Sequence, residues 1–165
     1  MNINQKIKFL KHRRHMDAMR IKRLKRRFSD ASMSKYFLEA RVLASTISRA
    51  RYRGTDEQAY SDFVETGRTV LWCLNEVFRF SQGDQGSFVG PNSIKAIFTA
   101  YADAKRNIKY GIKDIKDSKS ETPEIKVKYL KELNKLYQLI TEAELSSRMT
   151  LLYSPKVPLI HHQPM

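Results

Sequence analysis

Apolar positions along this chain recur at helical spacing. In residues 3–28 the positions Ile3, Ile7, Leu10, Arg14, Asp17, Ile21, Leu24 and Phe28 follow the alternating four-and-three step of one helix face. That face is apolar at both ends and polar in the middle. Neither Gly nor Pro interrupts it. Arg14 and Asp17, three apart, can pair across the polar gap, although such a seam suits a long coiled coil poorly. Ser29, Asp30, Ala31 and Ser32 read as a stop followed by a new N-cap.

A second helix is expected over residues 31–53. Met33, Phe37, Ala40, Ala44 and Ile47 form its stripe, and Tyr36 and Leu43 widen it. Gly54 fits its C-terminal cap. Thr55 with Gln58 three residues on matches a capping box, and Asp56 and Glu57 suit the positive end of a helix dipole, so a third helix begins there. Its core face is Tyr60, Phe63, Val64, Gly67, Leu71, Leu74 and Phe78, with Val70 and Val77 beside it. This is the most apolar stripe in the chain and predicts the central helix.

Residues 81–91, with Gly83, Gly86 and Gly90, form a loop. Asn92 or Ser93 caps a fourth helix whose buried face includes Ile94, Ile97, Phe98, Tyr101, Ile108, Ile112 and Ile115, with Gly111 a weak point. Residues 117–122 are polar linker. Thr122 as cap and Pro123 at the first helical position open a fifth helix, with Leu130, Leu133, Leu136, Tyr137 and Ile140 facing inward, ending near Arg148. Beyond Thr150 the prolines Pro155, Pro158 and Pro164 predict an extended tail. No internal repeat and no period-two alternation argue for a sheet.

The expected fold is therefore all-α, a helical bundle of about five helices. Residues 1–28 are its basic amphipathic N-terminal helix, 31–149 its bundle core and 150–165 its extended C-terminal tail. A chain of 165 residues suits one core rather than two.

Charge changes this picture most. The formal net charge is +14, and residues 1–53 hold 16 Lys and Arg against 3 Asp and Glu, a balance of +13. Residues 54–165 hold 15 against 14. A chain so divided has a directional field and calls for a polyanionic partner. Lys6, Arg13, Arg20 and Arg27 recur every seven residues, one slowly drifting row along the first helix. Lys22, Arg23, Lys25 and Arg26 thicken that row near its end, Arg14 is a further candidate contact, and Arg49, Arg51 and Arg53 add a second cluster at the end of helix two. A rod of that length is roughly 37 Å, about one turn of a nucleic-acid duplex, so several phosphates can be met at once with release of their counterions.

Other chemistries find little support. Cys73 lies in the apolar run from Val70 to Leu74, has no partner for an internal disulfide and reads as core packing in a reducing compartment. His12 and His15 stand three apart, but Lys11, Arg13 and Arg14 around them oppose a metal cation, and His161 and His162 lack an acidic or Cys companion. The glycine loop has no preceding strand and no following Lys-Ser or Lys-Thr, so it is not a phosphate cradle. A helix-turn-helix around Gly54 fails because the helix entering the groove would open with Asp56 and Glu57. No nucleophile–base pair or divergent carboxylate pair suggests an enzyme, and no cofactor is implied.

Three roles fit these residues. The first is a non-enzymatic nucleic-acid-binding protein that uses its basic N-terminal helix on the phosphate backbone of DNA or RNA. The second is an interaction or assembly protein that docks on a larger complex through that helix and the apolar tail over residues 151–160, or on a further copy of itself. The third is a peripheral binder of anionic membrane surfaces. No stretch is long and apolar enough to span a bilayer and no secretory leader opens the chain, which predicts a cytoplasmic location. The Arg-rich, acid-poor first segment also fits a mitochondrial presequence, against which stand its many lysines and the scarcity of Ser before Ser29.

Overall fold

The computed structural model describes residues 2–8, 34–81 and 91–151, with the side chains of residues 91–93 and 150–151 left undescribed. All regular structure among them is helical: α1 over residues 3–8, α2 Lys35–Ser48, α3 Glu57–Ser81, α4 Pro91–Asp117 and α5 Pro123–Leu151. No strand is present among the described residues. The helices α2 to α5 close a ring in which α2 packs on α3 and α5, and α4 packs on α3 and α5. The α2/α5 edge thus lies opposite the α3/α4 edge.

The core fills the middle of that ring. Phe37, Ala40, Ala44 and Ile47 of α2 meet Val70, Leu74 and Val77 of α3, Ile97, Tyr101, Ile108 and Ile115 of α4, and Leu133, Leu136 and Ile140 of α5. Burial of side chains this large stabilises by roughly 1.5–3 kcal/mol each. Tyr101 keeps its hydroxyl within the core by hydrogen bonding Ser147 Oγ at 2.9 Å, which ties α4 to α5. Burial pushes its pKa up to about 12, so the hydroxyl keeps its proton. Cys73 is likewise buried, and its thiol is pushed up to about 11, chiefly by burial and then by Asp103 and Glu76.

Several boundaries differ from the sequence expectation, each for a local reason. The N-cap of α2 is Ser34, whose Oγ accepts from the Phe37 N–H at 3.3 Å. Its C-terminus is Ser48 rather than residue 53. Arg49 N–H turns back to the Thr46 carbonyl and Ala50 N–H to that of Ile47, and the Ala50 carbonyl accepts from the Tyr60 hydroxyl at 2.8 Å. That carbonyl is thereby withdrawn from any further helical turn, and Gly54 caps nothing. The α3 cap is Asp56, not Thr55: Asp56 Oδ1 accepts from the N–H groups of Gln58 and Ala59 at 2.9 and 3.3 Å. Gln58 turns instead to Asp62, 2.9 Å away.

The buried stripe of α3 is rotated from expectation. Val70, Cys73 and Val77 are fully inside, whereas Tyr60, Leu71 and Phe78 are half-buried. Helix α4 begins at Pro91 rather than after Asn92 or Ser93. Gly111 is no weak point but a close approach: an added Cβ there would crowd Thr66 of α3. The Pro123 start of α5 is as expected, with Lys126 N–H bonded to the Thr122 carbonyl at 3.0 Å. Residues 9–33, 82–90 and 152–165 lie outside the described residues, and with them most of the expected first helix, the glycine loop and the tail.

Candidate anion-binding cleft between α2 and α5

The second arginine cluster is carried by the connection over residues 49–56, which leaves α2 and runs to α3. Its shape is set by a carboxylate from a distant part of the chain. Glu121, only 7% exposed, accepts from the N–H groups of Thr55, Asp56 and Thr122 at 3.0, 3.2 and 3.0 Å. Thr55 Oγ1 also donates to the Ser120 carbonyl, and Ser118 Oγ donates to Asp56 Oδ2. The α2–α3 connection is in this way clasped to the α4–α5 connection.

Electrostatics at the clasp favour the ionised carboxylates. Burial raises the Glu121 pKa, but the hydrogen bonds from Thr55, Thr122 and Asp56 outweigh it, and the group ends below its ordinary value. Asp56 is lowered too, first by the Ser118 hydroxyl, against a smaller opposing effect of burial. Of the cations of the connection, Arg49 donates its Nε–H to the Ser45 carbonyl at 3.3 Å. Tyr52 packs edge-on to Tyr60 with ring centroids 5.2 Å apart, which anchors the chain between Arg51 and Arg53.

Beside this connection, at the α2/α5 edge, is a cleft of about 270 Å³. Arg49, Arg51 and Arg53 line it together with Lys128 of α5, and the one carboxylate in its wall is Glu132. Ile47, Ala50, Phe63, Ile125 and Tyr129 supply its apolar wall, and Thr46 completes the lining. Tyr129 is 4% exposed and its ring stacks on Phe63 at a centroid distance of 4.2 Å. Its hydroxyl is buried and has no hydrogen-bond partner among the described residues. Burial raises its pKa, and Glu121, Tyr60 and Tyr52 add to the rise, so it remains a proton donor without an acceptor.

The ion pairs among the described residues lie elsewhere: Lys35–Glu39, Arg68–Glu65, Arg79–Glu76, Lys105–Glu144 and Arg106–Asp103. Among the described residues no carboxylate pairs with Lys6, Arg49, Arg51, Arg53 or Lys128. Five carboxylates lie along the opposite edge of the ring, where the α3/α4 groove is lined by Asp62, Glu65 and Asp114, and its continuation by Asp56 and Asp117.

Of the cations singled out by sequence, the structure brings Arg49, Arg51 and Arg53 to one cleft. Lys6 stands apart on α1, exposed on a turn whose start is closed by reciprocal bonds between Asn2 and Gln5 at 3.0 and 2.8 Å. Arg13, Arg14, Arg20, Lys22, Arg23, Lys25, Arg26 and Arg27 lie outside the described residues. Sequence reasoning missed Lys128, Tyr129 and Glu121, and only the Thr122–Pro123 helix start hinted that they sit at a helix entrance. The turn from α2 to α3 spans residues 49–56, longer than the roughly three to four residues of a helix-turn-helix. No described helix is long and apolar enough to cross a membrane, and no described group of His, Cys, Asp and Glu is placed to hold a metal. The chain matches no protein-family model, no curated protein and no solved structure.

Proposed function

We propose that this protein binds nucleic acid without catalysing a reaction, meeting the phosphate backbone with its basic N-terminal segment and with Arg49, Arg51 and Arg53. The observation that carries the reading is the +13 balance of residues 1–53. It is supported by the absence, among the described residues, of any internal carboxylate paired with Lys6 or with the three arginines of the cleft. The carboxylates that line the α3/α4 groove would be turned away from a phosphate surface, which would give the bundle an orientation on its partner.

The test is binding to mixed-sequence duplex DNA and to structured RNA across a salt series. Affinity falls steeply with salt, with a slope that counts the phosphates neutralised. Replacing Arg20, Arg23, Arg26 and Arg27 with Gln flattens that slope. A salt-independent affinity, or none, rules the reading out.

A second reading has its own observation. Ile3 and Ile7 are 75% and 45% exposed on the same helix as Lys6, an apolar edge that a protein complex or an anionic membrane surface would cover. Partners that remain bound after nuclease digestion, or binding to anionic vesicles that exceeds binding to nucleic acid, favour it over the first.

A further inference from the structure

Resting on the nucleic-acid reading, we propose that the α2/α5 cleft is a pocket for a phosphomonoester, the terminal phosphate of a strand or of a free nucleotide, rather than another contact for backbone phosphodiesters. Three observations converge on it. Four cationic side chains, Arg49, Arg51, Arg53 and Lys128, share one concave site with a single carboxylate, Glu132. A phosphomonoester carries roughly −1.5 to −2 charge against −1 for a backbone diester, so it answers this surplus better. Arginine supplies the planar fork that holds two phosphate oxygens at once, and three arginines line one opening, Arg49 with its Nε–H already given to the Ser45 carbonyl.

Shape is the second observation. A volume of about 270 Å³ with Ile47, Phe63, Ile125 and Tyr129 in its wall admits the end of a chain or one nucleotide. A continuous duplex, whose major groove alone is about 12 Å wide, rides over such a concavity and reaches only its rim.

The third is Tyr129. The residue lines this cleft at 4% exposure, and its hydroxyl is buried behind that wall with no partner among the described residues. A buried donor left alone is unfavourable, and a phosphoryl oxygen is an acceptor suited to it. The clasp around Glu121 holds the arginine-bearing connection in place above it before any ligand arrives.

The experiment uses the full chain and a short single-stranded oligonucleotide labelled at its 3′ end, bearing either a 5′-phosphate or a 5′-hydroxyl. The phosphorylated strand is expected to bind on the order of tenfold tighter, the worth of about one charge-assisted hydrogen bond. A nucleoside 5′-monophosphate competes that advantage away, and the corresponding nucleoside does not. Arg51→Gln with Arg53→Gln abolishes the difference between the two strands, and Tyr129→Phe reduces it, with urea midpoints confirming that both variants fold. Equal affinity for the two strands overturns the pocket and leaves backbone binding standing. An end preference that survives both variants likewise overturns it. Failure of both strands with the monophosphate still bound overturns the nucleic-acid reading and keeps the pocket.

Discussion

The carboxylate of Glu121 fills the space in front of Gly54. A Cβ added to Gly54 would stand 2.5 Å from Oε1 and 2.6 Å from Cδ of that side chain. Glu121 cannot swing aside freely, because its oxygens are held by the N–H groups of Thr55, Asp56 and Thr122. The residue expected to cap a helix is instead the place where two connections touch.

Gly54→Ala is therefore expected to destabilise the fold by about 1–3 kcal/mol, the usual cost of forcing an extra carbon into a packed site. Urea unfolding of the two proteins measures it. An unchanged midpoint would show that the clasp yields without loss.

Stability should also depend on acid. The Glu121 and Asp56 carboxyls both lie below their ordinary values of 4.5 and 3.8 in the folded chain. A lowered pKa means that the unfolded chain takes up protons first, so the stabilisation is complete above the ordinary range and is lost as pH falls through the lowered values. The urea midpoint should stay level from about pH 7 to 5 and drop below about pH 4. Glu121→Gln should lower the midpoint at neutral pH and shrink the acid-induced drop.

Two buried glycines should respond differently to alanine. A Cβ on Gly67 would lie 2.6 Å from Ile47 Cγ2 and 2.8 Å from the Ser48 backbone nitrogen, where α2 crosses α3. Backbone cannot give way, so Gly67→Ala should cost about 1–3 kcal/mol. Gly111 meets the Thr66 side chain instead, with Thr66 Cβ at 3.2 Å. Gly111→Ala alone should destabilise, and Thr66→Ala added to it should recover the loss and release the roughly 1 kcal/mol by which alanine favours a helix over glycine. Thermal melts of the single and double variants decide this.

Tyr129→Phe removes a hydroxyl that has no partner while leaving the ring stacked on Phe63. Without ligand the variant should be more stable than the parent by up to ~1 kcal/mol. A marked loss of stability in calorimetry would mean that the hydroxyl already has an acceptor in the folded protein.

Where the sequence was readable, local pattern decided the structure. The row Phe37, Ala40, Ala44 and Ile47 lies wholly inside, and the Thr122–Pro123 pair marks the start of α5, because burial periodicity and proline geometry act within a few residues. Thr55 was misread because its N–H bonds Glu121, 66 residues away in sequence, and its hydroxyl bonds Ser120 at a similar separation. Nothing near Thr55 announces that competition. Residues 49–53 carry a helical pattern but are not helix for the same reason, since Tyr60 takes the Ala50 carbonyl from outside the segment. Half of the cleft was visible as Arg49, Arg51 and Arg53. Lys128, Tyr129 and the acidic opposite edge were not, because counting charges along a chain does not say which side of a ring each one faces.

The clasp at Glu121 also imposes an order of assembly. The arginines belong to the first third of the chain, yet the groups that fasten their segment and the lysine and tyrosine that complete the cleft come from residues 118–129. A ribosome that has released only α2 and α3 exposes cations without a receptacle. Ligand recognition at this edge would thus mature late, when the last helix closes the ring.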